Sequence, residues 1–412
     1  MRNWRFIGIV LILVVVVDLY VFQAVKALSQ GSSAKAKALI AGIYWGLSLT
    51  SLIIFALLPL VTDPAWQRTK SYIFFTIMAF FFAKLIAAVF FLIDDIRRLI
   101  QWASSRLFFN NTEGDSEDSI SRSAFLSWLG IGLGGTLFSS LVYGFSNKYN
   151  YQVRRVKLAY DNLPPAFKGL KIVQLSDIHS GSLADREAVA KGIDHILAEK
   201  PDLILFTGDL VNDVATEMDD YKDTFSRLKA PMGVFSTLGN HDYGDYIWWE
   251  TPEMKKANLD RLKQLQGEMG WRLLMNEHVA LEREGQQIAL IGIENWSAKA
   301  RFPKHGKLKE AYEGAEKYPF KILMSHDPSH WDAQVRPLFP DIDLALAGHT
   351  HGSQFGIEIP GFKWSPVQYV YRQWAGLYEE GRQKLYVNRG FGFIGYPGRV
   401  GILPEITVIE LA

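Results

Sequence analysis

An α/β domain preceded by an all-α membrane region of four helices is the fold class this sequence predicts. Three observations carry it. Apolar runs of bilayer length occupy the first 147 residues, short β-branched runs alternating with polar-faced helices begin at Tyr151, and all nine histidines fall after residue 178. A length of 412 residues suits two regions, because single cores stop growing at roughly 250–300 residues. The expected division is a membrane region over 1–147 and a folded domain over 148–412.

Composition narrows the chemistry. The 44 Lys and Arg against 43 Asp and Glu leave a net charge of +1, so no global field points to nucleic acid as a partner. Hydrophobic residues at 49% with charged residues at 21% argue against intrinsic disorder. The absence of cysteine excludes a disulfide scaffold, a zinc–thiolate site, an iron–sulfur cluster and a cysteine nucleophile. It does not decide the compartment, since both sides of a membrane tolerate a cysteine-free chain.

The four expected spans are Phe6–Leu28, Leu39–Val61, Tyr72–Ile93 and Ala124–Phe145. Each has the roughly 20 apolar residues that cross a hydrocarbon layer. The first, with IVLILVVVVDLYVF, is too long for a signal-peptide core and is followed by three similar runs, so it reads as a retained span. Asp18 and Lys84 fall inside spans, where an ionisable group is costly; they read as interhelical or snorkelling groups rather than as a transport path. After the third span, Asp94, Asp95, Arg97 and Arg98 precede LIQWASSRLFF, which reads as an amphipathic interfacial segment, and Asn110–Ser119 reads as a polar linker. In the loops, Lys26, Lys35, Lys37, Arg97, Arg98, Arg106 and Arg122 outnumber Arg2, Arg5, Arg68 and Lys70 on the other side. Positive-inside weighting then puts the C-terminal domain outside the cytoplasm, in an integral protein of a bacterial inner membrane, although Lys148, Arg154, Arg155 and Lys157 count the other way. The run Ser121-Arg-Ser-Ala-Phe-Leu is similar to a twin-arginine export signal whose second arginine is serine.

In the folded domain, strands are expected at Val153–Leu158, Lys171–Leu175, Leu203–Thr207, Val234–Leu238, Ile288–Ile293, Phe320–Met324, Leu344–Ala347, Leu385–Val387 and Ile406–Leu411. Helices are expected at Arg186–Glu199, Glu217–Leu228 and Glu253–Met269. Five short motifs follow apolar strands: Asp177-Ile-His179, Gly208-Asp209, Gly239-Asn240-His241-Asp242, Ser325-His326-Asp327 and Gly348-His349-Thr-His351. Loops at strand C-terminal edges can aim side chains into one crevice, so the series reads as a single polynuclear metal site assembled by folding. Imidazole, carboxylate and amide oxygen in this mixture suit Mn, Fe or Zn better than Ca or Mg. His195, His278, His305 and His330 read as structural or solvent-exposed, with His305 in RFPKHGK the one placed to touch substrate.

The motifs, in this order, are those of a known family. From about Lys171 onward the chain resembles the calcineurin-like metallophosphoesterases, and within them the membrane-associated bacterial branch, through Ala375-Gly-Leu-Tyr-Glu-Glu-Gly381, Leu385-Tyr-Val-Asn-Arg-Gly390 and Pro404-Glu-Ile406. The resemblance implies a four-layer α/β/β/α sandwich and two divalent ions, for which manganese is the first to try. It further implies that Asp177, His179, Asp209 and His351 hold one ion and Asp209, Asn240, His326 and His349 the other, with Asp209 bridging. Two ions that close can activate a shared water and neutralise phosphate oxygens, giving a phosphoric ester hydrolase. His241, left out of the ligand set, is then free to protonate the leaving oxygen or stabilise charge, with Asp242 orienting it.

The substrate is less legible. Tyr243, Tyr246, Ile247, Trp248 and Trp249 follow the Asn240-His241 loop, and Phe391, Phe393, Ile394 and Tyr396 follow Arg389, an arginine suited to phosphate. Tyr243 and Arg389 are therefore the expected substrate contacts. With a membrane region attached, the aromatic groups fit a lipid-linked phosphoester or pyrophosphate, as in family members that cleave UDP-diacylglucosamine, with membrane lipids as partners. The alternatives are a hydrolase of soluble nucleotides or small phosphoesters, and a non-catalytic scaffold that retains its metals.

Overall fold

The computed structural model describes residues 4–63, 66–108 and 122–412, and it divides into two compact units, Met1–Tyr143 and Gly144–Ala412.

Among the described residues, the α-helices of the first unit are α1 (Trp4–Leu28), α2 (Ala34–Leu57), α3 (Gln67–Phe108) and α4 (Arg122–Gly144). All four are long and apolar enough to cross a membrane. Their outward faces are largely apolar, as at Ile12, Ile43 and Leu92, while Asp18, Ser48 and Lys84 are buried among the helices. Lys84 of α3 reaches Asp18 of α1 at 2.5 Å and Ser48 of α2 at 2.6 Å, and Tyr44 of α2 donates to the Asp18 carbonyl at 2.7 Å. Asp18 and Lys84 are therefore interhelical groups, pinning three helices together where an unpaired charge would be costly. Helix α4 approaches α3 closely: a methyl at Gly130 would meet Phe90 at 2.9 Å, and one at Gly134 would collide with the Ala83 carbonyl.

The third span differs from expectation. Instead of ending near Ile93 and giving way to a separate interfacial segment, α3 runs on unbroken for 42 residues. The charged cluster is compatible with helix because Arg97 and Arg98 pair with Asp94 at 2.9 and 3.1 Å, one turn back. The expected linker Asn110–Ser119 lies outside the described residues.

In the second unit, β1 (Gln152–Leu158), β2 (Lys171–Leu175), α5 (Arg186–Ala198), β3 (Leu203–Phe206), α6 (Lys222–Phe225), β4 (Val234–Ser236), α7 (Pro252–Glu268) and β5 (Arg272–Leu273) come first. They are followed by β6 (Glu277–Arg283), β7 (Gln286–Gly292), α8 (Leu308–Tyr312), β8 (Lys321–Met324), β9 (Leu344–Ala347), β10 (Ile357–Ile359), β11 (Phe362–Trp364), β12 (Gly376–Glu380), β13 (Gln383–Val387) and β14 (Glu405–Leu411). One six-stranded sheet has the order β1-β14-β2-β3-β4-β5 and the other β12-β13-β9-β8-β7-β6, while β10 and β11 form a separate hairpin.

Burial on both faces explains the continuous apolar strands. Ile172, Leu203, Leu205, Leu290, Ile322 and Leu344 pack between the sheets. Their neighbours Val173, Ile204 and Phe206 pack with Ile193 and Ile196 of α5 and Leu262 and Leu265 of α7. On the far side, Ile291, Leu323 and Ala345 pack with Ala311 of α8 and Trp331. Three apolar layers separate four layers of structure, the α/β/β/α sandwich. Each fully buried Leu or Ile contributes about 1.5–3 kcal/mol, which makes the two sheets a firm base for their loops.

The expected helix Glu217–Leu228 is broken into a 3₁₀ turn, Ala215–Met218, and the short α6. The Glu217 carboxylate accepts from the N–H groups of Asn212, Asp213 and Val214, which holds the chain in a turn there.

Candidate metal centre

Strands β2, β3 and β4 run parallel in one sheet and β8 and β9 parallel in the other, so each set of C-terminal ends shares an edge. From those ends come Asp177 and His179, Asp209, Asn240 to Asp242, His326, and His349 and His351. Several leave the strand in the left-handed region that most residues avoid: Asp177 (φ 54°), His179 (49°), Asp209 (61°), His349 (71°) and His351 (49°). Strain concentrated on these side chains is held by tight contacts. A side chain at Gly239 would strike the Asp209 carboxylate, and one at Gly348 would strike Ser176 and Asp177.

The side chains converge as two groups. Asp177, His179 and His351 offer ligand atoms within 4.8 Å of one another, as do Asp209, His326 and His349. Asp209 Oδ2 joins the groups, lying 3.5 Å from His179 Nε2 and 3.1 Å from His326 Nε2. His351 Nε2 lies 3.3 Å from Asp177 Oδ1.

The donor set fits divalent cations by a test internal to the fold. Both ring nitrogens of His179, Nε2 of His326, Nε2 of His351 and Oδ1 of Asn240 are buried without a hydrogen-bond partner. Leaving so many buried polar atoms unpaired costs about 1–3 kcal/mol each, whereas cations would take one nitrogen of each imidazole and the amide oxygen as ligands. Burial pushes His179 down to about 3 and His349 down to about 4, and drives His351 well below the usual imidazole range, so all three present neutral lone pairs. Burial also raises Asp177, to about 6. For Asp209 burial acts the same way, but His326 and then His241 outweigh it and hold its carboxyl well below the usual carboxylate range.

The surrounding groups fix the tautomers. A carbonyl can only accept, so His326 Nδ1 donates to Thr207 O at 2.7 Å and Nε2 is the nitrogen turned to Asp209. Burial works against a charge there, but Asp209 outweighs it and raises the imidazole to about 10, and a cation bound at Nε2 would take the place of that proton. Tyr371 Oη donates to Asp327 at 3.3 Å and accepts from His349 Nε2 at 2.8 Å, which leaves the lone pair of His349 on Nδ1. Buried Arg399 braces the far end, donating to Arg389 O at 2.7 Å and lying 3.2 Å from His351 Nδ1. Thr207 precedes the motif Gly208-Asp209 and Asp327 belongs to Ser325-His326-Asp327, whereas Tyr371 and Arg399 carry no local sequence signal.

His241 stands half-buried beside these groups. Its Nδ1–H donates to Asn212 O at 2.7 Å and its backbone N–H to Asp209 Oδ1 at 2.8 Å, while its ring stands 4.9 Å from that of His179.

Three expectations are corrected. Asp242 does not orient His241: its carboxylate accepts the N–H groups of Asp209 (2.9 Å), Gly239 (2.8 Å) and Leu210 (2.8 Å), and the carbonyl of Asn212 orients the histidine instead. Tyr243 is buried and bonded to Glu294 at 3.2 Å, with its ring 4.3 Å from that of His305, so it is not the expected substrate contact; His305 is exposed, as read from the sequence. The aromatic at the centre is Tyr246, which accepts from Asn240 Nδ2 at 2.8 Å and lies 4.4 Å from the His241 ring. Arg389 is spent inside the protein, paired with Glu405 at 2.5 Å and Glu358 at 2.6 Å, and has no free edge for phosphate.

The role of Asp242 predicts its own variant. An asparagine has one acceptor oxygen where the carboxylate has two, so Asp242→Asn leaves buried N–H groups unpaired at about 1–3 kcal/mol each. A lower thermal midpoint and metal affinity reduced about 10–100-fold are expected. An unchanged midpoint in a thermal melt would show that the carboxylate does not hold these loops.

Comparison with known proteins agrees with this geometry. The family model "Calcineurin-like phosphoesterase" matches residues 170–353, and "Probable Calcineurin-like phosphoesterase, transmembrane domain" matches residues 1–148. The metallophosphoesterase YkuE of Bacillus subtilis is 31% identical over 253 residues, which cover 60% of this chain and 81% of YkuE. The chain belongs to the calcineurin-like metallophosphoesterases. This metallophosphoesterase is also 31% identical over 278 residues to a transmembrane protein with metallophosphoesterase domain from Danio rerio, covering 66% of the chain and 60% of the fish protein's length. Phosphodiesterase YaeI of Escherichia coli is 28% identical over 267 residues, covering 63% of the chain and 88% of YaeI.

Proposed function

We propose that this metallophosphoesterase hydrolyses a phosphoester or pyrophosphate bond of a lipid-linked substrate. In this reading Asp177, His179, Asp209 and His351 hold one divalent cation, and Asp209, Asn240, His326 and His349 hold a second. The observation that carries it is the pair of buried ligand groups meeting at one carboxylate, with unpartnered atoms aimed between them. When bound, two such cations supply Lewis acidity for phosphate oxygens and a water made acidic enough to attack. The chain supplies the rest. Asp209 offsets the repulsion between the cations, Asp242 holds the Asp209 and Gly239 loops in place, and Thr207 and Tyr371 fix which nitrogen of His326 and His349 is offered. His241, anchored at Nδ1, directs Nε2 outward to protonate the leaving oxygen.

Support for a lipid-linked substrate comes from two places. The chain carries helices long and apolar enough to cross a membrane. Tyr246, Ile247 and Trp248, directly after the His241 loop, are 44%, 39% and 83% exposed. We place the catalytic unit on the extracytoplasmic face of a bacterial inner membrane, following the basic residues of the loops.

The test is hydrolysis of aryl phosphomonoesters, aryl phosphodiesters and a phospholipid-presented ester by detergent-purified protein. Turnover should vanish on chelation, return with Mn²⁺, Fe²⁺ or Zn²⁺, and favour the lipid ester. Turnover insensitive to chelation sinks the metal reading. Full activity on soluble esters with none on lipid transfers the assignment to nucleotides or other small phosphoesters.

A further inference from the structure

The hairpin β10–β11 has its polarity turned inside out. Ile357 pairs with Trp364 and Ile359 with Phe362, so these four share one face, and Glu358 and Lys363 share the other. In a water-soluble sheet the charged face would be outermost. Here it is the inner one: Glu358 accepts from Arg389 at 2.6 Å and from Arg154 at 2.7 Å, and Lys363 donates to Ala375 O at 2.5 Å. The apolar face is turned out, with Ile357 49%, Ile359 59% and Phe362 52% exposed. Slipping the register by one residue would bury those side chains but break the ion pairs, so the arginines lock the apolar face outward.

The same surface continues into Tyr369 and Val370, 77% and 57% exposed, with Trp364 Nε1 donating to Tyr369 Oη at 3.3 Å. Indole and phenol of this kind favour the boundary between water and lipid. The occupant follows from the chain itself, whose apolar helices tether this unit to a bilayer and keep that apolar phase within reach.

We propose that the outer face of β10–β11, with Tyr369 and Val370, docks into the interfacial layer of the bilayer that the chain's own helices cross. It makes Arg389 a positioning residue that holds a membrane-contacting hairpin. The inference does not depend on turnover, and its readout is the depth of a label.

With no cysteine in the chain, one introduced thiol gives one labelling site. Ile359→Cys and Phe362→Cys, each labelled with nitrobenzoxadiazole in the full chain, are reconstituted into vesicles of phosphatidylcholine and phosphatidylglycerol. Glu282→Cys, at an exposed position of edge strand β6, is the aqueous reference. Blue-shifted emission at both hairpin sites, quenched by lipids spin-labelled near the headgroup, is expected for interfacial insertion. Emission and lipid quenching equal to the reference overturn the proposal, and so does a blue shift without lipid quenching, which would mark a protein partner or a second copy.

Discussion

Asp209→Asn should release metal and abolish turnover together. Asparagine matches aspartate in volume and tolerates the left-handed backbone that Asp209 adopts at φ 61°, so the loop keeps its path. What disappears is the negative charge shared by the two proposed sites, 3.5 Å from His179 Nε2 and 3.1 Å from His326 Nε2. Two dications held by ligand groups that meet at one carboxylate would repel strongly, and without its charge at least one should be lost. Metal content after dialysis should fall from two ions to one or none, and turnover by more than the roughly 10–100-fold typical of outer-shell changes. Two ions retained in a folded Asp209→Asn protein would remove Asp209 from the bridging position.

Much of the fold was legible because its strands declare themselves. Lys171–Leu175 and Leu344–Ala347 have the expected bounds, and each of the other expected strands overlaps an observed one. Continuous apolar runs such as LILF and LALA are what burial between helices and a second sheet requires. The elements that went unread lack that burial. Strand β5 has two residues, and β10–β11 reverses the usual polarity, so its pattern of outward Ile and Phe carries no core signal.

The candidate site was legible in residue type but not in direction. His179, His326, His349 and His351 converge because strand order brings their loops to one edge, and the quoted motifs name them. Side-chain direction depends on partners far away in the sequence. Arg389, beside a strand end and an asparagine, reads locally as a phosphate ligand, yet Glu358, 31 residues earlier, claims its guanidinium. Asp242 reads as the orienter of its neighbour His241, but the backbone N–H groups of Asp209, Leu210, Val211 and Gly239 capture it first. Tyr243 ends the 3₁₀ turn His241–Tyr243 and Tyr246 lies three residues beyond it, and only Tyr246 reaches Asn240.

His241→Ala is the sharper probe because it should separate chemistry from metal binding. The side chain lies outside both ligand groups, and its ring meets Tyr246 and His179 in a half-buried position, so truncation opens no sealed cavity. The backbone N–H that donates to Asp209 Oδ1 survives the change. Metal content and thermal midpoint should therefore match wild type while turnover falls about 10²–10⁴-fold, the range for removing a positioned proton donor. The leaving group divides the two roles open to the imidazole. A nitrophenolate departs without a proton, whereas an alkoxide does not, so proton donation predicts a loss several-fold greater for alkyl than for nitrophenyl esters. A loss equal for both would assign His241 to stabilising charge on the phosphoryl oxygens instead. Turnover equal to wild type on both ester classes, in a protein holding its metals, would take His241 out of the reaction.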